Sequence, residues 1–109
     1  MVQKPGKQGQ KYVGFEQDIE NGMTSTVKVI LDARVFGLIA EDENCDGWLA
    51  AGILALQEKV AESWDKNGFL PSRLPDELRE RHTRIYEKAV KKARANGWDP
   101  DREIEEKHR

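Results

Sequence analysis

Apolar residues recur at helical spacing through the middle of the chain. One stripe, with intervals of three or four residues, contains Leu49, Ile53, Leu56, Val60 and Trp64. This spacing is typical of one face of an amphipathic helix. Asp46 is predicted to be the N-cap of the helix, and Gly68 is the glycine expected just after its last turn.

A second long helix is predicted to open at Pro75, where the missing backbone N–H is tolerated. Acidic residues follow in its first turn and basic residues in its last turns, as the helix dipole favours. Its core stripe contains Leu78, Ile85, Ala89 and Ala93, with His82 and Tyr86 on the border.

The two predicted helices end in the same pattern. Asn67-Gly68-Phe69 is followed by Pro71, and Asn96-Gly97-Trp98 is followed by Pro100, at an offset of 29 residues. Glycine adopts the left-handed conformation at a helix end, the aromatic residue is expected to fold back on the last turn, and proline prevents continuation. A tandem repeat would give the same offset, but a solenoid needs about three repeats to bury a core. Shared capping chemistry is therefore favoured.

The stretch from Thr24 to Glu43 fits two periods. Alternating positions are apolar, as in a strand, and Asn21-Gly22 could form a hairpin turn before it. At helical spacing, Thr24 or Ser25 is the N-cap and the stripe contains Val27, Leu31, Val35 and Leu38. We favour the helix, because no second strand is evident to pair with the first.

The predicted fold is an all-α domain in which a buried first helix packs on an antiparallel hairpin of two longer helices. The alternative is an α+β fold with an N-terminal β-hairpin laid on those helices. Residues 1–14 are expected to form a flexible basic arm, and residues 15–109 a single helical domain. Its C-terminal tail, where Pro100 follows Asp99 and Ile104 is the only aliphatic residue, is expected to fray.

Composition narrows the functional classes. The chain has 109 residues, of which 38% are hydrophobic and 35% charged, and a net charge of −2. No apolar run approaches the length of a membrane span, and the N-terminus lacks the apolar region of a signal peptide. Cys45 is the single cysteine, so no intrachain disulfide can form and a reducing cytoplasm is the expected location. We expect no cofactor.

Catalytic residues are hard to find in this sequence. His82 and His108 have no cysteine or histidine at zinc spacing. Cys45 lies among acidic residues, which raise the pKa of a thiol and make it a poor nucleophile. No catalytic residue is assigned, and an enzyme is not favoured.

Carboxylates cluster around the junction of the two long helices. Glu62 and Asp65 have ExxD spacing, and Asp76, Glu77 and Glu80 have DExxE spacing. This arrangement resembles the MazG-type all-α pyrophosphatases, which bind magnesium between an EExxE and an ExxD helix, although the order of the two motifs is reversed here. The resemblance implies a metal-dependent nucleotide hydrolase as an alternative function. The candidate metal ligands are Glu62, Asp65, Glu77 and Glu80, whereas solvated helix-end carboxylates are the favoured interpretation.

Basic side chains share one sector of the last long helix. These possible contacts for an anion or a nucleic acid are Arg81, Arg84, Lys88, Lys91 and Lys92. Together with lysines of the arm, they make a nucleic-acid-binding protein a second alternative. A solvated helix face is favoured instead, because the net charge is negative and no aromatic residue interleaves the sector.

The favoured function is a non-catalytic interaction or regulatory module, with a protein partner that the sequence does not identify. The first helix is apolar nearly all round, and the helix after Asp46 carries a wide apolar face. Excess apolar surface usually marks an interface. We therefore expect a homodimer, with Ile30, Phe36, Ile39 and Leu54 as candidate interface residues.

Overall fold

The computed structural model describes residues 11–99 and shows an all-α fold. The elements are α1 (Phe15–Asp18), which continues as a 3-10 turn (Ile19–Asn21), α2 (Ser25–Val35), α3 (Ala50–Lys66), a second 3-10 turn (Pro71–Arg73) and α4 (Asp76–Ala95). Residues 11–99 contain no strand beyond one isolated bridge between Lys11 and Leu49. The all-α prediction is confirmed and the α+β alternative is wrong. The expected fraying of the tail after Asp99 lies outside the described residues.

The buried first helix is α2. Its fully buried side chains, each at most 1% exposed, are Val27, Ile30, Leu31, Ala33 and Val35. Both long helices, α3 and α4, pack against it. The side chain of Thr24 caps its first turn, accepting a hydrogen bond from the backbone N–H of Val27 at 3.1 Å.

The helical stretch is shorter than the sequence suggested. Gly37 has a φ of 73°, which only glycine adopts readily, and the Leu38 N–H donates to the carbonyl of Ala33 at 2.9 Å. The helix therefore ends at Val35. Leu38 lies beyond this end and is exposed, so its predicted place on the buried stripe is wrong.

The segment before α2 covers one side of that helix. Phe15 and Ile19 are buried in the core, and the Asp18 carboxylate accepts hydrogen bonds from Tyr12 (2.6 Å) and Thr24 (3.0 Å). Residues 11–14, which we expected to belong to a flexible arm, are fixed here by backbone contacts. The Tyr12 N–H donates to the carbonyl of Trp48 at 2.7 Å. Residues 1–10 of the expected arm lie outside the described residues.

Asp46 is not the N-cap of α3, because the chain makes one more turn before the helix begins. Gly47 has a φ of 82° and donates its N–H to the carbonyl of Tyr12, while the Trp48 N–H donates to the carbonyl of Cys45. Leu49 is consequently the residue that precedes the first helical turn. Pairing with the N-terminal segment thus overrides the capping preference of Asp46.

The shared ending of α3 and α4 is confirmed as capping chemistry. Gly68 and Gly97 both have positive φ, and the N–H of the following aromatic residue donates to a carbonyl five residues earlier. Trp98 packs against the core and lies beside Gly22. Phe69 does not, since its own φ is 67° and its side chain is 63% exposed.

A polar contact at Asp32 joins the three longer helices. Its carboxylate on α2 accepts a hydrogen bond from the Trp64 indole on α3 (3.1 Å) and from the Tyr86 hydroxyl on α4 (2.6 Å). Aromatic rings continue the contact, with His82 stacked on Tyr86 at 4.3 Å between ring centroids and Phe36 edge-on to Trp64 at 5.1 Å.

Candidate functional site

An uncharged stretch of chain lies on the surface around the start of α3. Between Asp46 and Glu58 no residue is charged, in a sequence that is 35% charged. Leu49 is 47% exposed and Leu54 is 56% exposed. We call the exposed apolar residues of this stretch the α3 face: Leu49, Ala50, Ala51, Leu54 and Ala55.

A groove of about 590 Å³ runs between the α3 face and the N-terminal segment. Val13 forms part of one wall and is 56% exposed, since pairing of Tyr12 with Trp48 holds the backbone beside α3. The other wall includes Ile53 and Leu54. The groove thus extends the apolar surface from the helix to the N-terminal segment.

The four expected interface residues differ in how far they are buried. Ile30 is fully buried within the chain, where α1, α3 and α4 all pack against α2. Phe36 is half-buried and lies edge-on to Trp64, and Ile39 is half-buried and packs against the core. Leu54 alone of the four lies on an open apolar surface. Val13 and Leu49 were missed, although Leu49 belongs to the predicted stripe.

The basic sector of α4 faces acidic groups of the same chain. Arg84 makes a paired contact with Glu41, with both hydrogen bonds at 3.1 Å, and Lys92 forms an ion pair with Glu16. Arg84 lowers the pKa of the Glu41 carboxyl. Arg81 donates to the carbonyl of Val35 at 3.1 Å.

Lys88 lines a cavity beside these pairs, whereas Lys91 is exposed outside it. The cavity brings three residues of the sector, Arg84, Lys88 and Lys92, next to Arg34 of α2. Arg34 was not predicted as a site residue. Its only signal in the sequence is a basic residue in the last turn of a mostly apolar helix.

The carboxylates proposed as metal ligands lie on exposed helix ends. Glu62, Asp65, Glu77 and Glu80 are all exposed, and nearby Asp76 pairs with Arg79 at 2.7 Å. Among residues 11–99, no group of three or more His, Cys, Asp or Glu side chains is arranged to hold a metal ion. The structure therefore does not bring the four candidates into one site.

Cys45 is buried and His82 is half-buried. Burial, with Glu43 nearby, raises the pKa of the Cys45 thiol to about 11, and its side chain is fully buried. Burial lowers the pKa of His82, whose ring lies between Trp64 and Tyr86. Both side chains serve packing in this arrangement. His108 lies outside the described residues.

Comparison of the chain with models of known protein families, with curated proteins and with solved structures found no match. None of the helices within residues 11–99 has the length and apolar character needed to cross a bilayer. The structure defines the class to which the chain belongs as a small all-α domain. The surface features that could bind a partner or a ligand are the α3 face with its groove and the cavity at Arg34.

Proposed function

We propose that the protein is a non-catalytic interaction module whose α3 face binds a second copy of the chain. The observation that supports this most strongly is the uncharged surface between Asp46 and Glu58. A solvated helix on so polar a protein would be expected to alternate charges on its outer side. Here the outer side carries Leu54 among alanines instead.

The composition of the α3 face suits a helix as its partner. Ala51 lies three residues before Leu54 and four residues before Ala55, so the three side chains share one broad side of α3. Small residues let two helices approach closely, and Leu54 provides the larger apolar contact. Two copies related by a two-fold axis would present this same surface to each other, which is the commonest arrangement of homo-oligomers.

The buried polar groups support a structural role over a catalytic one. Burial and the hydrogen bond to Asp18 raise the pKa of Tyr12, and burial beside Asp32 raises the pKa of Tyr86. Both hydroxyls donate hydrogen bonds to aspartates of the fold, and their raised pKa values keep them protonated well above neutral pH. We propose the same reducing, cytoplasmic location that the single cysteine suggested.

Light scattering after gel filtration tests the proposal. At micromolar concentration the full chain is expected to have the mass of a dimer, and Leu54→Glu is expected to shift it to a monomer, because a carboxylate would be buried in the interface. Leu70→Glu is the matched control. Leu70 is exposed to a similar extent, 50% against 56%, but it lies beyond the C-terminal end of α3.

The Leu70→Glu variant should still have the mass of a dimer. A wild-type chain that is monomeric throughout the concentration range would refute the proposal. A dimer that Leu70→Glu dissociates and Leu54→Glu does not would place the interface elsewhere.

A further inference from the structure

A cavity of about 260 Å³ lies between α1, the loop at residues 41–44 and α4. Its floor is apolar and is formed by Phe15, Leu31, Ile85 and Ala89. Small-molecule sites in proteins have volumes of about 300 to 1,000 Å³ and combine apolar walls with a few polar groups. The cavity is close to the small end of that range, so it suits a small ligand.

Arg34 is the most unusual group on the cavity wall. It is only 9% exposed, and burial lowers the pKa of its guanidinium, which nevertheless stays charged. Its Nε and Nη2 atoms donate to the carbonyl of Glu43, and Nη2 also donates to the side chain of Asn44 at 2.9 Å. The guanidinium carbon lies 4.2 Å from the centre of the Phe15 ring. These contacts fix the group in one orientation.

The charge of Arg34 is not matched by a carboxylate in contact with it. Within residues 11–99 it forms no ion pair, and its Nη1 atom makes no hydrogen bond. Buried charges are normally paired, because removing an ion from water is costly. Glu41, Asp42 and Glu43 lie near enough to act on the guanidinium electrostatically, but none of them forms an ion pair with it. An oriented guanidinium with a free Nη1 atom on a cavity wall is therefore placed to receive an anion.

Three further cations come from successive turns of α4, at Arg84, Lys88 and Lys92. Arg84 and Lys92 are paired with Glu41 and Glu16, in exposed contacts of the kind that contribute little to stability. Lys88 forms no ion pair with any residue of the described chain. Two cations on the wall, Arg34 and Lys88, thus lack a carboxylate in contact, although Asp42 also lines the cavity.

We propose that this cavity binds a small phosphate monoester. A phosphate monoester carries a charge of about −1.5 to −2 at neutral pH. The wall carries four cations against the three carboxylates of Glu16, Glu41 and Asp42, and this excess of positive charge favours an anion. The phosphate oxygens would accept hydrogen bonds from the free Nη1 atom of Arg34. The small organic group would lie on the floor formed by Phe15 and Ile85. This site is separate from the α3 face, so it stands whether or not the chain is a dimer.

Phenyl phosphate is a suitable probe, because it combines the dianion with a small apolar ring. In nitrogen–proton NMR spectra of the full chain, millimolar phenyl phosphate should shift the Arg34 Nε–H signal in a saturable way. Lys88→Gln should weaken the binding about tenfold, as expected for the loss of one charge-assisted contact. Lys91→Gln, which makes the same charge change on the same helix outside the cavity, should leave the affinity unchanged.

Lys88 is exposed, so the variant should fold, and an otherwise unchanged spectrum verifies this. Inorganic phosphate should bind more weakly than phenyl phosphate, since it cannot use the apolar floor. The proposal is overturned if phenyl phosphate causes no saturable shift, or if inorganic phosphate binds equally well. Equal weakening by Lys88→Gln and Lys91→Gln would also overturn it, because it would show non-specific attraction to the basic helix.

Discussion

At the scale of the residue, two aspartates organise the polar contacts of the fold. Asp18 accepts hydrogen bonds from Tyr12 and Thr24, and Asp32 accepts them from Trp64 and Tyr86. Asp32 therefore links helices that are distant in sequence, whereas Asp18 joins the residues on either side of α1 and its 3-10 turn. Neither role could be predicted, because an aspartate in an amphipathic helix is usually solvated.

Removing the Asp32 side chain should destabilise the protein substantially. Asp32→Ala removes two hydrogen bonds to a charged acceptor and leaves the Trp64 and Tyr86 donors without that partner, so we expect a loss of about 3 kcal/mol in the free energy of unfolding. Urea unfolding followed by circular dichroism measures it at one fixed protein concentration. Asp65→Ala, an exposed aspartate on α3, is the control and should change the free energy by less than about 0.5 kcal/mol.

Contacts of single residues also explain why the cavity at Arg34 was not predicted. Arg84, Lys88 and Lys92 were found from helical spacing, which depends on one element alone. Arg34 is on another helix, and its importance depends on burial and on contacts with Glu43 and Asn44. Such properties arise only when distant segments pack together.

At the scale of the element, glycine decides where helices end. Gly68 and Gly97 were predicted from Asn-Gly followed by an aromatic residue, and the structure confirms both ends. Gly37 ends α2 in the same way, with the N–H of Leu38 bonded to the carbonyl of Ala33. This helix end was not predicted, because apolar residues continue on both sides of Gly37 at helical spacing.

Two glycine substitutions should have opposite effects on stability. Gly22 has a φ of 98°, and a Cβ there would overlap the Trp98 ring, whose Cγ atom would be 2.9 Å away. Gly52 lies inside α3, where a Cβ would meet the Trp48 ring at an ordinary 3.5 Å. Gly22→Ala should therefore destabilise the protein by about 2 kcal/mol or more. Gly52→Ala should stabilise it by about 0.5 to 1 kcal/mol.

Thermal unfolding of both variants beside the wild type checks this pair. A melting temperature that rises for Gly22→Ala would contradict the packing of Trp98 on the 3-10 turn. A fall for Gly52→Ala would show that Trp48 cannot accommodate the added methyl group.

At the scale of the whole molecule, the fold class could be predicted because helical periodicity and capping are local. The burial of α2 was also predictable, since that helix is apolar on most sides. The segment that covers α2 was not predictable, because Phe15 and Ile19 precede a turn whose geometry depends on Gly22. For that reason Ile30 was expected at an interface, whereas Leu54 is the residue that remains exposed.

A paramagnetic label tests most directly whether α3 meets α3 of a second copy. A nitroxide is attached to unlabelled Glu58→Cys protein, which is then mixed with nitrogen-15 wild-type chain. Glu58 is exposed one helical turn beyond Leu54. Cys45 does not compete for the label, because its thiol is fully buried and its pKa is raised to about 11. A nitroxide at Lys91→Cys is the control.

With the label at position 58, the amide signals of Ala51, Leu54 and Ala55 in the nitrogen-15 chain should broaden, because the two-fold contact brings the same helix of both copies together. The control label should leave them sharp. Sharp signals with the Glu58→Cys label, or broadening confined to the exposed Phe69 and Leu70, would contradict a dimer through the α3 face.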